Sequence, residues 1–123
     1  MDLKEKTIIG LTERINIFSN DFKKEKTVIG RIDTGATMSS IHTEIVKELD
    51  LGPVIRSKKV KNANGISIRP VIEVNIVLHG KKMKSKFTVT DRSHMKYEVL
   101  IGRNILSEGF LINPSLEEKG ESE

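Results

Sequence analysis

Between residues 67 and 78 the chain alternates: Ile72, Val74, Ile76 and Leu78 fall on one side of an extended backbone, Glu73 and Asn75 on the other. Period-two alternation belongs to a β-strand with one face in a core, and a helix would scatter the same residues around its surface. Asn64-Gly65, just before, tolerates φ > 0 and is a strong hairpin signal, so residues 54–60 are the expected partner strand. Short apolar runs recur elsewhere, at 7–11, 14–18, 27–32 and 86–90, with Ser19-Asn20-Asp21 and His79-Gly80-Lys81-Lys82 as turns. Ile41, Ile45 and Leu49, four apart, predict a short helix capped by Ser40 or Thr43 and ended by Leu51-Gly52-Pro53. Ile105-Leu106 before Glu108-Gly109 predicts a second. Many short strands with one or two short helices predict a mainly β sandwich or barrel.

With 123 residues the chain is one domain, expected over 1–116 and followed by a disordered acidic tail, 117–123, that has no apolar residue. A domain of this size gains much from dimerisation. Twenty-one Lys and Arg against seventeen Asp and Glu give a net charge of +4, compatible with an acidic partner. The lysines are interleaved with acids, and one Tyr with no Trp offers no platform for stacking bases, so no nucleic-acid partner is expected. The absence of cysteine excludes disulfides, thiolate metal sites and a cysteine nucleophile. No apolar run approaches the ~18 residues of a membrane span, and residues 1–6 lack a signal-peptide core. A cytoplasmic protein with no membrane association is the expectation.

The run at 27–32 delivers Asp33 into a turn of small residues, Thr34-Gly35-Ala36. Gly35 can take φ > 0 and admits close backbone approach. By itself Asp33 reads either as a turn aspartate or as a reactive carboxylate. A second notable segment is Val99-Leu100-Ile101-Gly102-Arg103-Asn104-Ile105-Leu106.

Together these segments resemble the retropepsin-like aspartic peptidases, in which Asp-Thr-Gly-Ala carries the catalytic carboxylate and an apolar-Gly-Arg-Asn segment packs beside it. Asn64-Gly65, Arg69-Pro70-Val71-Ile72, Thr90-Asp91-Arg92-Ser93 and Phe110-Leu111-Ile112-Asn113-Pro114 resemble one branch, the family named for ATP-dependent zinc proteases, often encoded beside ATP-grasp glutamate ligases. The likeness spans about residues 5–115. It implies a closed retropepsin-like β-barrel working as a homodimer. Asp33, Thr34 and Gly35 would be the catalytic loop, with Thr34 hydrogen-bonding across the dimer. Ala36, Asn64, Gly65, Asp91 and Arg92 would contact a peptide, Asn64-Gly65 as the tip of a flap. Asp91 and Arg92 could instead pair with each other, or form an ordinary charged turn. Gly102, Arg103 and Asn104 would support the site or the dimer, Arg103 by pairing with an acid or as a solvated charge.

Two Asp33 carboxylates a few ångströms apart cannot both ionise easily, so they would share a proton and activate water between them. Glutamate-rich peptides are the implied substrate class and an ATP-grasp ligase the implied partner. A non-catalytic peptide-binding or dimerisation module, or a zinc-dependent peptidase, are the alternatives. The branch usually has Lys or Arg after Asp-Thr-Gly-Ala and viral retropepsins an acid, whereas Thr37 stands here. His42, His79 and His94 are widely spaced and form no His-Glu-x-x-His, and no phosphate-cradling Gly-x-x-x-x-Gly-Lys exists, so neither metal ligands nor a cofactor are predicted.

Overall fold

The computed structural model describes residues 5–118. Its elements in chain order are β1 (Thr7–Ile9), β2 (Thr12–Phe18), β3 (Glu25–Ile32), β4 (Ser39–His42), α1 (Thr43–Glu48), β5 (Arg56–Asn62), β6 (Gly65–Leu78), β7 (Lys81–Thr90), β8 (Val99–Ile101), α2 (Arg103–Leu106) and β9 (Phe110–Ile112). The predicted mainly β chain with two short helices is what forms. Strands run in the order β2-β3-β8-β4-β7-β6-β5, and β2 also pairs with β6, so six strands close into a barrel and β5 stands outside it. Closure rests on Ile15↔Leu78 and Ile17↔Ile76, contacts between segments some sixty positions apart.

The long strand β6 serves two structures. Its alternating half places Ile72, Val74, Ile76 and Leu78 in the core at 2% exposure or less. There they meet Ile15, Ile41, Phe87 and Ile101. Its first half, from Gly65 to Pro70, pairs with β5 alone and projects as a hairpin. Asn62 opposes Gly65 in that hairpin, so Ala63-Asn64 form the loop and only Gly65 adopts positive φ, at 117°. The β6–β7 turn is tighter than the sequence suggests. His79 and Gly80, both at positive φ, make it alone, and Lys81 and Lys82 already belong to β7.

The predicted helix begins later than its apolar spacing implies. Residues 39–42 form β4, all four buried, hydrogen-bonded between β7 and β8. Ile41 therefore reaches the core from a strand and Ile45 from a helix. The N-cap of α1 is His42, without a side-chain capping bond, so neither Ser40 nor Thr43 caps it. Two-sided pairing outweighs a weak local helix signal.

The chain ends meet. β1 and β9 pair in parallel, with Ile8 beside Leu111, and Glu118 is tied to Thr12 through N–H to Oγ1 (2.8 Å) and Oγ1 to carbonyl (2.8 Å). Arg14 adds an ion pair to Glu118 at 2.9 Å. The rest of the expected tail, 119–123, lies outside the described residues.

At the end of β8 the backbone passes directly behind the loop after β3. A Cβ on Gly102 would lie 2.8 Å from the Met38 carbonyl carbon and 2.9 Å from the Ala36 oxygen, both main-chain atoms that side-chain repacking cannot move. Gly102→Ala is therefore expected to destabilise the fold by about 1–3 kcal/mol through overpacking, read as a lower urea midpoint at unchanged m-value. A midpoint equal to that of the wild type would show the approach to be soft.

Candidate active site

The loop from Asp33 to Met38 leaves the end of β3 and is held by the segment running from β8 into α2. Asp33 N–H donates to Ile101 O (2.8 Å), Arg103 N–H to Ala36 O (2.8 Å) and Asn104 N–H to Thr37 O (3.1 Å). Side chains complete the clasp. Asn104 Oδ1 accepts from both Ser39 N–H (2.9 Å) and Ser39 Oγ–H (2.8 Å), and Asn104 Nδ2 donates to Lys86 O (2.9 Å). Ser39 Oγ in turn accepts from Gly102 N–H (2.9 Å). Every atom in this knot gives or takes what its chemistry allows, so the loop's shape is fixed by directional bonds.

Within the loop, Gly35 N–H donates to Asp33 Oδ1 (2.9 Å), orienting the carboxylate. Gly35 is not in the left-handed region. Glycine serves here because a Cβ would sit 3.2 Å from Asp33 Oδ1. Asp33 and Ala36 are half-buried, whereas Thr34, Gly35 and Thr37 are exposed. Among the described residues the Thr34 hydroxyl has no hydrogen-bond partner, although the Thr34 carbonyl accepts from Arg103 Nη1 (2.9 Å). Among the described residues Arg103 does not pair with an acid. Its second contact is Nη2 to Thr37 Oγ1 (3.2 Å), so the neutral residue at this position serves as an acceptor for the arginine.

Asp91 and Arg92 do not pair either. Asp91 Oδ1 accepts from Ser93 N–H (2.9 Å), and the Ser93 bonds hold its carboxyl below the usual range. Arg92 is buried, at 8% exposure, with its backbone N–H on His42 Nδ1 (2.8 Å) and Nε on Tyr97 O (2.9 Å). Burial and the charge of Arg69 push the Arg92 pKa down from the usual guanidinium value, and Asp33 opposes that shift. His42, in the sequence only one of three widely spaced histidines, is buried at 6% exposure. Nothing local distinguishes it, because its partner is a backbone N–H fifty positions away.

Beside the Asp33 loop lies a cleft of about 380 Å³. Gly35, Ala36 and Thr37 line one part of it, the β5–β6 hairpin another through Lys58, Lys59, Lys61 and Arg69, and Arg92 lines it too. Among the described residues five cations and no acid line it, so the local field is more positive than the net charge suggests. Gly65 and Asn64, at the exposed hairpin tip, do not line the cleft.

The three histidines remain apart. His42 Nδ1 is occupied by Arg92 N–H, and His79 faces Glu13 at 3.3 Å. Among the described residues no three His, Asp or Glu side chains converge, so the donors do not fit a zinc centre. No helix among them is long and apolar enough to cross a membrane.

The RimB-like family model, described as retropepsin-like aspartic endopeptidase RimB, matches residues 45–122, a segment that begins after Asp33. Two curated relatives are each named "Probable alpha-L-glutamate ligase". That of Shewanella pealeana is 29% identical over 76% of this chain and 27% of its own length. That of Shewanella halifaxensis is 31% identical over 69% of this chain and 24% of its own. The chain thus spans about a quarter of the length of these relatives. Among solved structures, a Legionella pneumophila protein of unknown function superposes with a TM-score of 0.62 at 23% identity, covering 89% of this chain and 95% of that one. EIAV protease in complex with an inhibitor gives 0.61 at 22%, over 88% and 91%. Simian foamy virus protease gives 0.56 at 14%, over 78% and 91%. These structural likenesses establish the closed barrel as a retropepsin-like fold. With the matched segment taking in the hairpin, the clasp and the C-terminal strand, the chain belongs to the RimB-like family of retropepsin-like aspartic endopeptidases.

Proposed function

We propose that this chain is an aspartic endopeptidase that works as a homodimer and cleaves acidic, glutamate-rich peptide segments. The observation that carries the reading is an oriented, half-buried Asp33 in a clasped loop beside a cleft lined by five cations. Each subunit supplies one Asp33. The two carboxylates share a proton, the ionised one draws a proton from water and the protonated one donates to the scissile carbonyl. The two-fold arrangement needs a self-complementary surface. Thr34 offers a hydroxyl at the loop that has no partner among the described residues. Leu11, 42% exposed, accepts from Ile32 N–H one residue before Asp33, and the exposed pair Ile8 and Leu111 extends this apolar surface along β1 and β9. The β5–β6 hairpin, free of the barrel on one side, acts as the flap that closes over peptide.

The ligase names of the relatives support glutamate polymers as the substrate and a ligase-type protein as a partner, both in the cytoplasm. In those relatives the matching region is part of a longer chain. A second reading draws on the family match starting at residue 45: the barrel and its cationic cleft serve as a peptide-binding module in which Asp33 does no chemistry.

The test is cleavage of a mixed peptide library, including oligoglutamates, by the wild type and Asp33→Asn from about pH 3 to about pH 8, with and without chelator. Cleavage by the wild type that ignores chelator and disappears in the variant is expected. Binding of oligoglutamate by both proteins without cleavage by either would favour the module, and cleavage that survives the substitution but not the chelator would refute the aspartic dyad. A further expectation concerns charge: KM for an oligoglutamate should rise steeply with added salt, as the Debye length shrinks from ~10 Å at 0.1 M toward ~3 Å at 1 M. A KM indifferent to salt would remove the hairpin lysines from recognition.

A further inference from the structure

The floor of the cleft brings together a buried hydroxyl that the fold leaves unsatisfied and a guanidinium held at one nitrogen. Ser40 lies in β4 between Thr88 of β7 and Leu100 of β8, and all three line the cleft. Ser40 is 4% exposed and its Oγ has no hydrogen-bond partner. A buried hydroxyl left unpaired costs about 1–3 kcal/mol, and such groups in native structures are few and call for a reason. A valine or alanine would fill the strand position without that cost.

Arg92 is the second group. Ser40 and His42 project from the same side of β4, since they are two apart on a strand. His42 on that side anchors the Arg92 backbone, and Tyr97 O takes Nε. Among the described residues the terminal guanidinium nitrogens of Arg92 have no protein partner, and no carboxylate lies within the 4.0 Å of an ion pair. Its sequence neighbour Asp91 is committed to Ser93. Asp33 acts on Arg92 only through its charge and forms no ion pair with it, so the planar guanidinium fork is left to match a carboxylate in two parallel bonds. Arg92 is pinned on both sides, unlike Lys58, Lys59 and Lys61, which stand on the exposed hairpin.

We propose that Ser40 and Arg92 form a carboxylate subsite that seats one acidic side chain of the bound peptide, with the Arg92 fork taking both oxygens and Ser40 Oγ–H donating to one of them. It deepens the peptidase reading and rests on it for the peptide's place in the cleft. The two residues set specificity and take no part in bond cleavage. The hairpin lysines attract any polyanion, whereas a fixed fork and hydroxyl distinguish glutamate from glutamine, which has the same shape and no charge.

The test uses the full chain carrying Asp33→Asn, so that binding is measured without turnover. Fluorescein-labelled hexaglutamate and hexaglutamine are titrated into this parent and into versions that also carry Ser40→Ala, Arg92→Lys or Arg92→Gln. The parent is expected to prefer hexaglutamate by about tenfold or more, the range of a charge-assisted hydrogen bond. Ser40→Ala should cut that preference severalfold while leaving hexaglutamine binding unchanged, and Arg92→Gln should erase it. Arg92→Lys, which keeps the charge and loses the fork, should fall between. Ser40→Ala is small and isosteric, so it keeps the proposal testable if Arg92→Gln unfolds. A parent with no preference, or a folded Ser40→Ala protein with the full preference, overturns the subsite. The peptidase reading fails separately, when hexaglutamate is bound selectively and yet the wild type cleaves nothing.

Discussion

The arrangement depends on one amide. Asn104 accepts twice from Ser39 and donates to Lys86 O, joining α2, β4 and β7 at a single side chain. No other residue of similar size supplies that combination. Aspartate lacks the donor, leucine lacks both functions, and glutamine would place its amide a methylene too far out. Because Ser39 Oγ passes its acceptor site to Gly102 N–H, the knot also fixes how closely β8 approaches the Asp33 loop. Gly102 and Asn104 are thus complementary. The missing Cβ permits the approach, and the amide makes it the only satisfied one, since each buried group left unpaired would cost about 1–3 kcal/mol.

What the sequence made legible was local. The alternation over 72–78 identified β6 because buried and half-buried positions alternate there over three successive pairs and end on buried Leu78. The turn at Asp33 stood out because small residues follow an apolar run. The closing of β2 on β6 was not legible, since a pairing of Ile15 with Leu78 leaves no mark on either segment's periodicity. β4 was misread for a related reason. The spacing of Ile41 and Ile45 mimics a helix, and only the strands on either side claim residues 39–42 for the sheet. β9, three residues long, is too short to show any period and exists through its pairing with β1. At the candidate site, the retropepsin-like likeness pointed to Asp33, Gly102 and Asn104, whereas Ser39, Ser40 and His42 were silent. A serine or histidine reports its role only through its partner.

The cations of the cleft differ in kind. Lys58, Lys59 and Lys61 sit on a hairpin held by the barrel along one edge, in reach of solvent and counter-ions, so their pull is long-ranged and screened. Arg92 is mostly buried and hydrogen-bonded at the cleft wall, so salt screens its charge less. Adjacent acid and base in the sequence suggested mutual neutralisation. The turn at Ser93 takes Asp91 away instead, and the positive charge of Arg92 is left for the cleft. A net charge of +4 therefore understates the field at the site, because acids elsewhere on the surface cancel lysines that have no bearing on it.

The matched family segment begins after Asp33, yet it constrains Asp33 closely. Ile101 O receives the Asp33 N–H, and Arg103 and Asn104 donate to the carbonyls of Ala36 and Thr37. These holders lie inside the matched segment, so the likeness resides in the scaffold that dictates the loop's shape. A scaffold that spends two backbone donors, a guanidinium and an amide on one short exposed loop fixes that loop far more tightly than a turn requires. Among the described residues the carboxylate so held accepts one hydrogen bond, from Gly35 N–H, and water activation needs a second group to hold the proton the first releases. In the proposed dimer a second copy of the same loop supplies it. The rigidity then has a purpose, since two carboxylates share a proton only when neither can swing away from the other.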